Sequence, residues 1–148
     1  MENNEEEIVL SLLYGLKQSV SSTKLQKLLF LVKQETKISL NLDFMPYKYG
    51  PFSQAIYGII ENLESKGIIK VKYSANKSNG QVRLISLSDF GMVEGSKAYE
   101  SLGENERSSL DEIVSRWGNE PLMSILLYTY LTYPDVIVNS VIKEKILS

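Results

Sequence analysis

Apolar residues recur along this chain in two rhythms, and the change from one to the other marks its elements. Ile8, Leu12, Leu13 and Leu16, then Leu25, Leu28, Leu29 and Val32, keep helical spacing and predict two amphipathic helices. Asn4 followed by Glu5, Glu6 and Glu7 predicts the start of the first. The asparagine can cap, Glu7 holds the capping-box position, and the acids suit the positive end of the helix dipole. Ser21-Ser22-Thr23 ends that region and caps the second helix. Phe30 and Leu31 fall outside the second stripe, and a helix apolar on more than one side is usually enclosed. The second helix is therefore expected in the middle of the molecule. Residues 38–49 read as an extended link anchored by Leu40, Leu42, Phe44 and Met45.

The pattern sharpens at Gly50-Pro51. Proline is tolerated at a first helical position, and Phe52, Ile56, Ile59, Ile60 and Leu63 then form one apolar stripe. Gly67 can take a left-handed cap. Beyond it the rhythm switches to alternation: Ile69, Val71 and Tyr73 interleave with Lys70 and Lys72, a strand half buried on one side. Turn-forming residues 76–80 and a second alternating run, Val82 to Leu87, complete a hairpin with a long tip. Ser88 can cap a helix over Asp89 to Leu102, in which Gly91 and Gly95 lie one turn apart and permit close helix approach. Asn105 to Trp117 predicts a helix burying Leu110, Ile113, Val114 and Trp117, stopped by Gly118. Asn119-Glu120-Pro121 starts another, Leu122 to Tyr133, which Pro134 ends, and Ser140 to Leu147 predicts a last short helix. The stretch from Leu122 to Ile142 is broken by Pro134-Asp135, so it reads as core or as a helix shared with a second subunit. A membrane span needs about 20 predominantly apolar residues in a row.

This order predicts a helix-dominated α+β fold in a single domain over residues 1–148. A winged helix-turn-helix-like unit occupies residues 5–91, with a β-hairpin as its wing. Additional C-terminal helices, residues 92–148, are expected to pack on the second helix. Composition is ordinary for a globular chain, 43% hydrophobic and 23% charged. A formal net charge of −2 supplies no global field towards nucleic acid or acidic lipid. The chain has no cysteine and no histidine, which removes thiolate metal sites, the usual general base and the simplest pH switch. No phosphate-binding loop, dinucleotide fingerprint or nucleophile elbow is present. Glu61 and Glu64 share a helix side, as carboxylates on many solvated helices do. The expectation is a non-enzymatic protein without a cofactor. The acidic start, with no basic-then-apolar signal, points to the cytoplasm and away from membranes.

Two kinds of partner fit this outline. The first, with a narrow lead, is double-stranded DNA bound by a transcriptional regulator. The helix ahead of the hairpin would enter the major groove with Gln54 towards adenine and Tyr57 towards phosphate. Lys70, Lys72, Lys77 and Arg83 on the hairpin would meet phosphates, and Lys27 is a further phosphate candidate. Glu61 sits mid-face and opposes that role. The same hairpin cations would also serve simply to blunt an exposed sheet edge. The second partner is a protein, with Tyr47, Tyr49 and Tyr57 as rigid aromatic anchors. Tyr47 and Tyr49 are also placed to pack the turn against the second helix. The apolar C-terminal helices could form a homodimer or complete the monomer's core.

Several segments carry a family likeness. TKLQKLLFLVKQE, then FMPYKYGPFS, then LESKGII, together with YTYLTYPD and NSVIKEKIL near the end, resemble the YwgA-like group of uncharacterised prokaryotic proteins over most of the chain. KLQKLLF and YKYGPFS also resemble, more distantly, the SocA-like antitoxin domain called Panacea. The resemblance implies a helical core of winged-helix character with no established enzymatic activity. The Panacea likeness further implies neutralisation of a toxin by protein contact. The later half departs from the antitoxin pattern and looks like the YwgA-like group instead.

Overall fold

The computed structural model describes residues 4–47, 50–75 and 81–136. They comprise six α-helices and a small three-stranded antiparallel sheet, so the fold is helix-dominated α+β. The N-terminal half runs α1 (Asn4–Leu16), β1 (Val20–Ser21), α2 (Ser22–Glu35), α3 (Gln54–Ser65), β2 (Ile69–Ala75) and β3 (Gln81–Leu87). Three helices follow: α4 (Asp89–Ser101), α5 (Glu104–Trp117) and α6 (Leu122–Thr132), with a single 3-10 turn at Pro134–Val136. No helix of the described residues is long and apolar enough to cross a membrane. The short helix expected over Ser140 to Leu147 lies outside the described residues.

The two inner helices are enclosed for the reason their sequence suggests. Every residue from Leu25 to Val32 of α2 is buried, Phe30 and Leu31 included, and so is every residue from Ile8 to Leu13 of α1. α5 and α6 pack on α2, whereas α4 packs on α1. The expectation that all the C-terminal helices lean on α2 therefore holds for two of the three. Gly91 and Gly95 explain the exception. A side chain at Gly91 would meet the Ile68 carbonyl, and one at Gly95 would meet the Tyr14 Cβ of α1, so the small residues let α4 settle close.

Caps set the element boundaries. The Ser21 Oγ accepts from the Lys24 N–H at 3.1 Å and the Ser88 Oγ from the Gly91 N–H at 2.9 Å. Gly67, at φ 73°, turns the chain out of α3 into β2. The acids of α1 do more than attend its dipole. Glu6 accepts from Asn62 and Lys66, both at 2.8 Å, and Glu7 accepts from the Ser101 hydroxyl at 3.0 Å. Asn4 donates to the Ser39 carbonyl at 2.7 Å, which ties the link to α1.

Two departures from the sequence reading matter for function. Val20 and Ser21 form a third strand, paired with Ile85 and Leu84, giving the sheet order β1-β3-β2. And α3 begins at Gln54, with Ser53 as its N-cap, rather than at Pro51.

Candidate functional site

The surface singled out by the sequence is assembled from three pieces: the turn before α3, α3 itself and the β2–β3 hairpin. The turn closes through an antiparallel bridge. Met45 N–H donates to the Phe52 carbonyl at 2.9 Å, and Phe52 N–H returns to the Met45 carbonyl at 3.0 Å. The start of α3 is then fixed from beneath by α2. The Gln26 side chain accepts from the Ser53 N–H at 2.9 Å and donates to the Ser53 carbonyl at 3.0 Å, with both residues buried. A buried backbone donor or acceptor left unpaired is costly, and one amide here satisfies both. This clamp sets the angle at which α3 leaves the turn.

On α3, Ile56, Ile59, Ile60 and Leu63 face the core, while Gln54, Gly58 and Glu61 are exposed and Tyr57 is half-buried. From the turn, Tyr47 lies 5.0 Å, centroid to centroid, from the Phe52 ring, and Phe52 lies 5.4 Å from Tyr57. The Arg83 guanidinium of β3 sits 5.0 Å above the Tyr57 ring, within reach of a cation–π contact. Tyr73 is directly opposite Arg83 across the hairpin. Four aromatic rings and one guanidinium thus run from the turn, over α3, to the hairpin. Tyr47 and Tyr73 remain 46% and 59% exposed, enough for a partner to touch both.

The strand register separates the cations that the sequence grouped together. Residues directly opposite in an antiparallel pair share a face, and faces alternate along a strand. Tyr73, Val71 and Ile69 pair with Arg83, Ile85 and Leu87 and share the core-side face. Lys70 and Lys72 pair with Ser86 and Leu84 on the opposite, outward face. Arg83 and the two lysines therefore do not form one patch. Lys77, the fourth member of that set, lies outside the described residues, as does Tyr49.

Lys27, the further phosphate candidate, is a correction: it is not on the surface. It is only 2% exposed and lies against the Gly50 turn. Desolvation pulls its ammonium below the ordinary lysine value, to about 8. A phosphate on the outer surface cannot reach it there. Tyr73 is a second correction: read as part of a half-buried strand, it is exposed because the hairpin outruns the core.

The structure brings Tyr47, Tyr57 and Arg83 together, with Gln54 at the start of the same helix. It adds Phe52 and Tyr73, which the sequence reading assigned to packing. Their signal was present only in combination, since Phe52 is two residues ahead of the helix that its spacing seemed to continue.

No protein-family model matches the chain, and no curated protein matches it.

A groove of about 830 Å³ lies between α1, the end of α3 and α4. Its carboxylates are engaged: Glu6 with Lys66, Glu7 with Ser101, and Glu94 at 3.2 Å from Lys97. Among the described residues no three carboxylates converge as a metal-ligand set.

Proposed function

We propose that this chain is a non-enzymatic regulatory binding protein of winged helix-turn-helix type, and that the turn–α3–hairpin surface receives a protein partner. The element order α1-β1-α2-α3-β2-β3 and the sheet order β1-β3-β2 support the winged-helix reading. In that architecture α3 is the recognition helix and the hairpin is the wing.

The carrying observation is the continuous run Tyr47–Phe52–Tyr57–Arg83, exposed at both ends. Tyrosine and arginine are enriched in interface hot spots; tyrosine buries a large ring at small entropic cost, and arginine offers a planar array of donors. A guanidinium stacked on a ring is also pre-oriented for a planar acceptor. The likeness to the Panacea domain, which works by protein contact, leans the same way. A Tyr57→Ala/Arg83→Ala double variant is expected to keep its fold, by circular dichroism, and to lose its partner in co-purification from the native host. Retention of that partner at full stoichiometry would overturn the assignment to this surface.

DNA is the second reading, favoured by the outward, exposed Lys70 and Lys72 on the wing. If Lys70 and Lys72, which share that face, both met phosphates, the salt slope would be about −2, from roughly 0.9 per contact. Polarisation titrations with duplex DNA at low and physiological salt measure that slope. The protein-partner reading expects no duplex affinity even at low salt.

A further inference from the structure

We infer that the outer edge of β2 is an acceptor for an added strand, and that the strand it fits is an extended protein segment alternating acidic with apolar residues. β2 ends the sheet in the order β1-β3-β2. The hydrogen bond from the Ser88 N–H to the Ile68 carbonyl, at 3.0 Å, fixes which residues look inward. Ile68 and Ser88 continue the β2–β3 register, so this bond marks the hydrogen-bonded positions of the ladder. Every second residue repeats that role. Lys70 and Lys72 therefore spend their backbone groups on β3, while Val71 and Tyr73 turn theirs outward. This is the arrangement that β-strand addition uses: main-chain bonds supply affinity and alternate side chains supply choice.

The side chains define the choice. An added residue opposite Lys70 or Lys72 projects on the outward face, where both lysines are exposed and, among the described residues, in no ion pair. An added residue opposite Val71 or Tyr73 projects on the other face, beside the exposed Tyr73 ring and Arg83. Carboxylates suit the first face and apolar groups the second. A second copy of this chain does not suit it, because an antiparallel β2–β2 contact sets lysine against lysine. The edge lysines thus reject self-pairing and admit an acidic strand.

This inference rests on the protein-partner reading and names the partner's chemistry. The test is fluorescence anisotropy of the full chain with a labelled heptapeptide alternating glutamate and valine. Binding is expected to weaken at least about tenfold when the glutamates become lysines, and Lys70→Glu/Lys72→Glu should reverse that preference. Methylating the peptide nitrogens on alternate residues reads the ladder itself. One parity should cost about tenfold or more and the other less than about twofold, because only one set of N–H groups faces β2. Equal losses for both parities, no preference between the peptides, or no binding at about 1 mM overturns strand addition. Each of these leaves partner binding through Tyr57 and Arg83 standing, since that falls only on the retention of the partner described above.

Discussion

Gly91 carries a packing role that no other residue can fill. A Cβ built there comes 1.9 Å from the Ile68 carbonyl oxygen and 3.3 Å from the Leu87 Cβ. Alanine would improve helix propensity by at most about 1 kcal/mol. The clash is with backbone that is itself bonded to Ser88, and overpacking of this kind costs about 1–3 kcal/mol or more. The clash wins, so Gly91→Ala is expected to lower the urea midpoint; an unchanged or higher midpoint would show that α4 can slide. Lys27 is the opposite case, a residue the fold tolerates at a cost. Its displacement from 10.5 to about 8 corresponds to on the order of 3 kcal/mol. The sign is set by which state prefers the proton. Below pH 8 the ammonium is charged in both states and the burial penalty is complete. Between pH 8 and 10.5 the folded chain gives up the proton first, and the penalty fades. Lys27→Met should therefore be more stable than the parent at pH 7, with the difference shrinking by pH 10. A constant difference across that range would mean that the ammonium is not desolvated in solution.

At the scale of elements, α3 depends on α2 for its start. Gln26→Leu keeps the volume but leaves the Ser53 N–H and carbonyl buried without partners. At about 1–3 kcal/mol for each orphaned group, the loss outweighs the gain from a more apolar side chain. Equilibrium unfolding should show a markedly lower stability, and amide exchange should speed up first in the opening turn of α3. Exchange that accelerates uniformly would place the effect elsewhere. The same contact explains what periodicity could and could not deliver. The stripe from Ile56 to Leu63 announced a helix, and alternation announced both strands, because those signals are local. Spacing puts the start of α3 three residues early, because Ser53 is held by a residue 27 positions away. β1 was missed because two residues hold no period. Lys27 reads as a phosphate candidate in the sequence because its cover, the Gly50 turn, is remote from it along the chain. The face on which each hairpin cation sits needed the strand register, which fixes Arg83 opposite Tyr73 and Lys72 opposite Leu84. The candidate site was therefore legible as a list of residues and illegible as a surface.

Across the whole molecule, α2 is where the N-terminal unit meets α5 and α6, and Glu35 at its end fastens α6. Its Oε2 accepts hydrogen bonds from both the Tyr128 and the Tyr133 hydroxyls. Around it the Tyr133 ring meets Phe30 at 5.4 Å, and Arg116 lies over both Trp117 and Tyr128. The hydrogen bond to Glu35 raises the Tyr128 hydroxyl above its ordinary value, and burial together with the same carboxylate pushes Tyr133 up to about 12. A phenol whose folded value is raised adds stability that is complete below pH 10. That stability is lost as the pH climbs towards 12, because the unfolded chain ionises first. The junction between α2 and α6 should thus contribute to the alkaline limb. Glu35→Gln removes the charge that holds these protons. Absorbance titration at 295 nm should then show two tyrosines ionising closer to pH 10 than they do in the parent. The stability advantage of the parent over Glu35→Gln should be present at pH 7 and shrink between pH 10 and 12. If the tyrosine titration were identical in the two proteins, Glu35 would not be the group that fastens α6 to α2.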